Sequence, residues 1–532
     1  MLLRRTLYLT ALLLIFTKPF AQVNLQTGTA TFSLPMFNWQ DHKSGLNSLV
    51  ALSYNSGNGL KVSDVASNVG QGWNLVAGGV VTRMQLGEPD DQPARLGNEM
   101  DKKKYPAGYF YASVPAANGC PIALTKYPIY KSRNQVYTQH NVLAEDKQLD
   151  YFSFQFNGKG GMFVLQKPVS GASSGAGVSL GDSKMKITYQ LDAALISQGI
   201  RTRITSFTIQ DVDGLLYKFS THGLTKVLEN AYCDADQTYR QVQPKFEKDL
   251  AYHQSGFDLG EYENPWIVGS WYLAEIKDPL TLRTISLSYV SRNVNASAGE
   301  DLSYNHDKDY TIISHKKSIT QTPEISSIIL PDGHNVSFNY GKQRTDFAGQ
   351  YELSSVAITY QGRSLSQYLL STTYFIGNRY GTPSSDYQKK MARLCLKSVQ
   401  KIGVDAKEDS PPYIFDYNLG SNNPDDVVPA PFSYRKDVWG FYNGDKSIQA
   451  NTGAPIPLNL SLNQLSNQQL KGLCFAVNGT YGVYLNPKTG YAKNGLLKQV
   501  IYPTGGTLSY VYEQNWGTLS NTYREVGGVH VV

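Results

Sequence analysis

The chain has 532 residues, 49 Lys and Arg against 43 Asp and Glu, 37 tyrosines, 47 glycines and only 17% charged residues. Its formal charge of +6 falls to about +3 once Arg4, Arg5 and Lys18 are removed with a cleaved leader, too little for a nucleic-acid footprint. The length fits roughly two to four domains or one elongated β structure, and the composition argues against general disorder and for turn-rich β sheet.

Met1 to Ala21 reads as a secretory signal: Arg4 and Arg5 open it, Leu7 to Phe16 is the apolar run, and Ala21 precedes the expected cleavage before Gln22. About ten apolar residues fall short of the roughly twenty a spanning helix needs, so export is expected and no later membrane span. A first strand follows, with Ala30, Phe32 and Leu34 alternating against Thr29, Thr31 and Ser33. A second runs from Leu49 to Tyr54, with a return strand expected at Leu60 to Val62. In VGQGWNLVAGGVVTR, Gly70, Gly72, Gly78 and Gly79 surround Trp73, a density that permits close backbone approach around a buried ring. The functional alternative is a sugar-stacking Trp73.

Residues 88–145 are charged and poorly periodic and read as an irregular insertion, with Lys102, Lys103 and Lys104 in a solvated loop. Periodicity returns at Asp150: Phe152, Phe154 and Phe156 share a face, Asn157 to Gly161 turn, and Met162 to Leu165 return. Ser170 to Asp182 reads as a Gly/Ser-rich loop, and strands resume at Lys186 to Leu191 and Ile204 to Phe219. Cys233 to Asn264 is polar and weakly patterned.

One hairpin unit then recurs. In LKQVIYPTGGTLSYVYE, Leu497 and Val500 precede a turn at Pro503 to Gly506, and Leu508, Tyr510 and Tyr512 alternate after it. Ile325, Ile328, Pro331, Val336, Phe338 and Tyr340 repeat it, as do Leu273, Ile276, Pro279, Ile285, Leu287 and Tyr289 with a turn one residue longer. A weaker copy turns at Asp213-Gly214 before Tyr217 and Phe219. The irregular spacing does not support a strict solenoid with a fixed period. Leu394 to Asn418 holds two more strands, Gly420 to Pro431 a linker, DVWGFYNG the grouped Trp439, Phe441 and Tyr442, and Asn459 to Leu473 a short helix. The last residues, GGVHVV, end inside a strand, as a fragment would.

The expected fold is therefore all-β: irregular antiparallel hairpins forming sandwich- or shell-like sheets, with long irregular insertions and little helix. The expected divisions are a signal (1–21), an N-terminal β module (22–87), the insertion (88–145), a hairpin module (146–230), a linker (231–265), a second hairpin module (266–420), a linker (421–436) and an aromatic-rich β module (437–532).

No sequence motif supplies a catalytic constellation. Gly171-Ala172-Ser173-Ser174-Gly175 fits G-x-S-x-G as a string but lies in a loop rather than between strand and helix. Asp211 and Asp213 lack the glutamate that completes a calcium loop and read as turn residues. Cys120, Cys233, Cys395 and Cys474 form no CxxC pair and are expected mostly as buried free thiols, and His306 and His315 as surface residues. No metal or cofactor is expected. The ligand candidates, for a glycan-binding reading, are Trp73, Trp439 and Tyr442.

Jointly, TGTATFSLP, VGQGWNLVAGGVVTR, DYFSFQFNGKGGMFVL, SWYLAEIKDP, DVWGFYNG and IYPTGG resemble the exported N-terminal region of RHS/YD-repeat proteins of the kind found in Bacteroidota. The resemblance implies a secreted or surface protein in which downstream YD repeats build a β shell, enclosing a C-terminal effector in toxin members. This chain lacks a clear run of Tyr-Asp plus Gly-Arg repeats, and Asp278-Pro279 lacks the context of the self-cleaving core motif. The expectation is a non-catalytic structural module whose partners are the downstream shell and effector. The alternatives are a surface module binding glycans or a neighbouring cell, and a glycan hydrolase.

Overall fold

The computed structural model describes residues 21–96, 104–111, 124–132, 135–143, 148–233, 266–305, 310–444 and 487–531, apart from isolated positions within those spans. The expected signal peptide and the helix at Asn459 to Leu473 lie outside them. The fold is all-β with antiparallel sheets, and among the described residues no helix is long and apolar enough to cross a membrane.

Strands β1 (Ala21–Asn24), β2 (Thr29–Gln40), β3 (Asn47–Asn55) and β4 (Trp73–Val76) form an N-terminal sheet. Next come β5 (Gly79–Met84), the pair β6 (Arg95–Leu96) and β7 (Lys104–Tyr105), and the pair β8 (Leu124–Ser132) and β9 (Gln135–Leu143). They are followed by β10 (Tyr151–Phe156), β11 (Lys159–Leu165), β12 (Ser174–Leu180), β13 (Lys186–Leu191), β14 (Ile204–Gln210), β15 (Leu216–Cys233) and β16 (Ile267–Lys277).

Each strand from β10 to β16 pairs with the next, and β5 pairs with both β10 and β16, so these strands close into a barrel. The alternation that marked β10 as a strand sends Phe152, Phe154 and Phe156 inward, where Phe163, Tyr189, Phe207, Tyr217, Phe219 and Trp271 join them in the buried core. A ring of this strand number has an interior just wide enough for side chains to fill, and here aromatic rings fill it. Phe207 meets Trp271 edge-on with centroids 4.8 Å apart.

Several local expectations change. The stretch 88–145, read as irregular, contains the paired strands β6–β7 and β8–β9, with Lys104 in β7 rather than in a loop. The Gly/Ser-rich stretch taken as a loop contains β12, a full barrel strand. It reads as a loop because its neighbours supply the bulk: a Cβ on Gly175 would lie 2.2 Å from the Tyr189 hydroxyl. The return strand at Leu60 to Val62 is instead loop, with an isolated bridge from Lys61 to Phe441.

Beyond the barrel the sheet continues as a meander. Its strands are β17 (Thr284–Asn305), β18 (Tyr310–Ile329), β19 (His334–Gln343), β20 (Tyr351–Tyr360), β21 (Arg363–Ile376), β22 (Arg379–Gly381), β23 (Arg393–Ile402), β24 (Tyr413–Tyr417), β25 (Leu497–Ile501) and β26 (Thr507–Ser509). A separate hairpin, β27 (Tyr512–Leu519) with β28 (Thr522–Val531), follows. β15 also pairs with β18, tying barrel to meander. Hydrogen-bonded pairing therefore crosses the divisions expected at 88–145, 231–265 and 421–436, through β5–β10, β15–β16 and β24–β25.

The recurring hairpin has a common construction. Ile276 faces Ile285, Ile328 faces Val336, and Val500 faces Leu508, and on either side of these partners each hairpin pairs only briefly before its strands part. The Tyr289 hydroxyl donates to the Leu273 carbonyl at 2.7 Å, Tyr340 to Ile325 at 3.1 Å, and Tyr512 to Leu497 at 2.8 Å. A carbonyl that the diverging strand no longer reaches is thus satisfied by a tyrosine from that same strand. Tyr289 and Tyr340 sit at β-bulges and Tyr512 follows a strand break, irregularities that re-aim a side chain.

A further copy is present at β23–β24, where Val399 faces Tyr413 and the Tyr417 hydroxyl donates to the Leu396 carbonyl at 2.7 Å, again beside a bulge. Its sequence disguise is the long connection between the two strands. The copy expected at Asp213-Gly214 is a hairpin, β14–β15, whose Tyr217 and Phe219 are buried in the barrel.

Candidate functional site

The segment that joins the N-terminal sheet to the meander runs from Val62 to Trp73 and positions most of what could form a site. Two buried arginines hold it. Arg393 donates to the carbonyls of Val62 (3.0 Å) and Pro429 (2.9 Å) and also bonds the Asp64 carbonyl. Arg344 donates to the carbonyls of Ala66 (2.8 Å) and Ser67 (3.0 Å) while pairing with Asp346 at 2.8 Å. Burial lowers the Arg393 guanidinium to about 10, still a cation at neutral pH. Carbonyl dipoles, rather than a carboxylate in direct contact, offset its charge.

The glycines of this segment allow close approach to the meander. Gly70, at φ +144°, would carry a Cβ 2.7 Å from the Leu396 nitrogen, and Gln71 donates its backbone N–H to the Leu394 carbonyl at 2.8 Å. Trp73 follows and is 1% exposed. Its ring centroid lies 4.6 Å from that of Phe415 and 5.4 Å from that of Tyr54, and its Nε1 donates to the Tyr417 hydroxyl at 2.8 Å. Trp73 is therefore part of the core. Tyr54 completes the seam by accepting from the Leu497 N–H at 2.8 Å.

The other two candidates divide. Tyr442 is buried, with the Arg435 guanidinium 5.5 Å from its ring centre, and burial pushes its hydroxyl up to about 12. Trp439 is 45% exposed, in a turn where Asp437 accepts from the backbone N–H groups of Trp439 and Phe441 at 2.9 Å. The structure thus leaves Trp439 alone of the three with an open ring.

A cleft of about 400 Å³ opens between the 55–74 segment and Gly495, bordered by Asn55, Asp64, Gln71 and Asn74. Its carboxylate, Asp64, already accepts from the Lys61 N–H at 2.9 Å. Among the described residues no group of three or more His, Cys, Asp or Glu is placed to hold a metal ion. Asp211 has the turn role expected of it, accepting from the N–H groups of Asp213 and Leu215 at 3.0 Å and pairing with Lys159. Ser173, the serine of the G-x-S-x-G string, sits in the bend just before β12, with a strand rather than a helix after it. Cys395 is a buried free thiol whose ionisation burial opposes.

The densest electrostatics lie where β5 and β10 leave the barrel. Arg83, with a side chain 1% exposed, donates from Nη2 to Asp91 Oδ1 at 2.7 Å and has Nε 3.6 Å from Asp150 Oδ2. Its guanidinium is 5.4 Å from the centre of the Phe152 ring and 5.3 Å from that of Trp271. Asp150 accepts from the N–H groups of Leu86 (2.9 Å) and Asp90 (3.0 Å), Asp90 Oδ1 from that of Asp150 (3.1 Å), and Asp91 Oδ2 from those of Arg203 and Ile204 (both 2.6 Å). Three buried aspartates thereby hold segment 86–92 across the barrel end. Arg83 shares the Val81 face of β5, and the strands on either side, β10 and β16, set Phe152 and Trp271 beside it.

No protein-family model and no curated protein sequence matches the chain.

Proposed function

We propose that the chain is a non-catalytic structural module of an exported RHS-type protein, a β scaffold that supports and presents what accompanies it at the cell surface or outside the cell. The observation that carries this reading is the tyrosine-clasped hairpin. Among the described residues it recurs four times, at Tyr289, Tyr340, Tyr417 and Tyr512, and each copy lets a strand leave one neighbour and pair with the next without stranding a carbonyl. A repeated joint of this kind extends a sheet, which is what a shell needs. The aromatic-filled barrel and the arginine staples serve rigidity in the same way. The likeness of the six sequence strings to RHS/YD-repeat N-terminal regions gives the module its context, with a downstream β shell and effector as partners.

Limited proteolysis tests the scaffold reading. After nicking, the fragments are expected to stay together on native size exclusion, because the sheet pairs across the chain divisions through β5–β10, β15–β16 and β24–β25. Fragments that separate as independently folded bodies would overturn it. The exposed ring of Trp439 favours one second reading, glycan binding at that turn. A glycan array comparing the wild type with Trp439→Ala decides it: no specific binding, or binding unchanged by the substitution, removes this reading.

A further inference from the structure

The aspartates that fasten segment 86–92 to the barrel bring three buried carboxyl groups, Asp90, Asp91 and Asp150, against one buried guanidinium, Arg83. Asp91 uses both oxygens, on Arg83 and on the Arg203 and Ile204 N–H groups. Asp150 also uses both, on the Leu86 and Asp90 N–H groups. Asp90 differs: Oδ1 accepts from Asp150, whereas Oδ2 is buried and receives a hydrogen bond from no described residue.

The other charged and titratable groups around it do not neutralise it. The Arg203 guanidinium donates to the Tyr111 hydroxyl at 2.7 Å, Arg201 pairs with Glu88 at 3.1 Å at the rim, and the Tyr189 hydroxyl donates to the Gln166 carbonyl at 2.7 Å. A bare carboxylate oxygen in this position would be a desolvated charge beside a second one, which is costly, whereas a protonated oxygen is not charged at all.

We infer that segment 86–92 is a proton-dependent latch: it is locked onto the barrel while Asp90 carries a proton and loosens when that proton is lost. Burial, then the neighbouring Asp150 charge, holds Asp90 up at about 8, and burial raises Asp150 as well. The sign follows directly. In the open segment Asp90 is solvated and ionises near the usual 3.8, so between there and about 8 the closed form holds one more proton than the open form. The latch is therefore tightest in acid, weakens as pH rises through that window and levels off above it. One proton of linkage corresponds to about a tenfold change in the opening equilibrium per pH unit.

Hydrogen exchange of the intact chain, followed by mass spectrometry between pH 5 and 9 and corrected for intrinsic rates, reads this out. Amides of 86–92 are expected to lose protection about tenfold per unit up to about pH 8, while β10 and β11 amides keep theirs. Asp90→Asn, which imitates the protonated acid, should flatten the slope to what Asp150 alone contributes. Asp150→Asn, which removes the neighbouring charge, should flatten the slope at lower pH. Protection of 86–92 that does not vary with pH in the wild type, or an undiminished slope in Asp90→Asn, overturns the latch. If Asp90→Asn does not fold, the wild-type profile and Asp150→Asn still decide the matter.

Discussion

At the scale of single residues, the tyrosine clasps and Trp73 make unequal demands. Tyr340→Phe keeps the ring and removes only the donor to Ile325, so its expected cost is that of one unsatisfied buried carbonyl, about 1–2 kcal/mol. Urea unfolding of this variant beside Tyr360→Phe, whose ring is on the surface, isolates the effect; equal stabilities would mean that the clasp contributes nothing. Trp73→Ala removes a fully buried indole together with its bond to Tyr417 and is expected to cost about 3–5 kcal/mol. Trp439→Ala, at a position 45% exposed, should fall within about 0.5 kcal/mol of wild type. Both can be followed in the same unfolding experiments. The core role of Trp73 was legible from its flanking glycines, because such glycines let neighbouring backbone close around a ring. Arg83, Arg344 and Arg393 were not legible. Arg344 pairs with the nearby Asp346 and Arg83 with Asp91, but the carbonyls of Val62, Ala66, Ser67 and Pro429 are brought in by the fold, and no local pattern separates a buried arginine from a surface one.

At the scale of elements, turn chemistry carried most of the readable information. Pro331 and Pro503 with their glycines mark the hairpins of β18–β19 and β25–β26, and the turns fall where they were expected. The β23–β24 unit has the same Leu-x-x-Val start and Phe-x-Tyr finish but escaped notice because a long connection stands where the others have a tight turn. β12 escaped for the opposite reason: glycine and serine mark loops by composition, yet here Gly175 leaves room for Tyr189. The fit at Gly70 is looser in distance but less forgiving, since the nearest atom to an added Cβ belongs to the backbone of β23 and cannot swing away. Gly70→Ala should therefore separate the 62–73 segment from the meander, lowering the thermal midpoint clearly. Gly158→Ala, with nothing within 4 Å of its Cβ, should show only the penalty of its left-handed backbone, about 1 kcal/mol. Calorimetry of the pair checks the ranking, and similar losses would argue against a close approach at Gly70.

At the scale of the whole molecule, the all-β class and the continuity of hairpins could be read from alternation, but the closed barrel could not. Period-2 alternation shows that Phe152, Phe154 and Phe156 share a face without showing which strand lies opposite, and nothing near Val81 announces Trp271 as its partner. The insertion behaves differently. Among the described strands β8 and β9 pair only with each other, so replacing 124–143 with a short Gly/Ser linker should leave the melting temperature of the remainder unchanged. A drop of several degrees would mean that the hairpin braces the barrel.

Ring closure also dictates an order of assembly. β5 waits as an unfinished edge until β16 has been made, because its second neighbour comes from Ser270 to Tyr272, and the bond between Tyr54 and Leu497 spans 443 residues of chain. Pairings so remote pay their loop-closure entropy before returning any contact, which makes the last steps slow and leaves open strands available to other molecules meanwhile. Shortening the chain ahead of Leu497 would thus do more than remove a hairpin. It would leave the earliest-made sheet without the last-made strand that locks it, and a nascent chain halted there is expected to aggregate rather than wait.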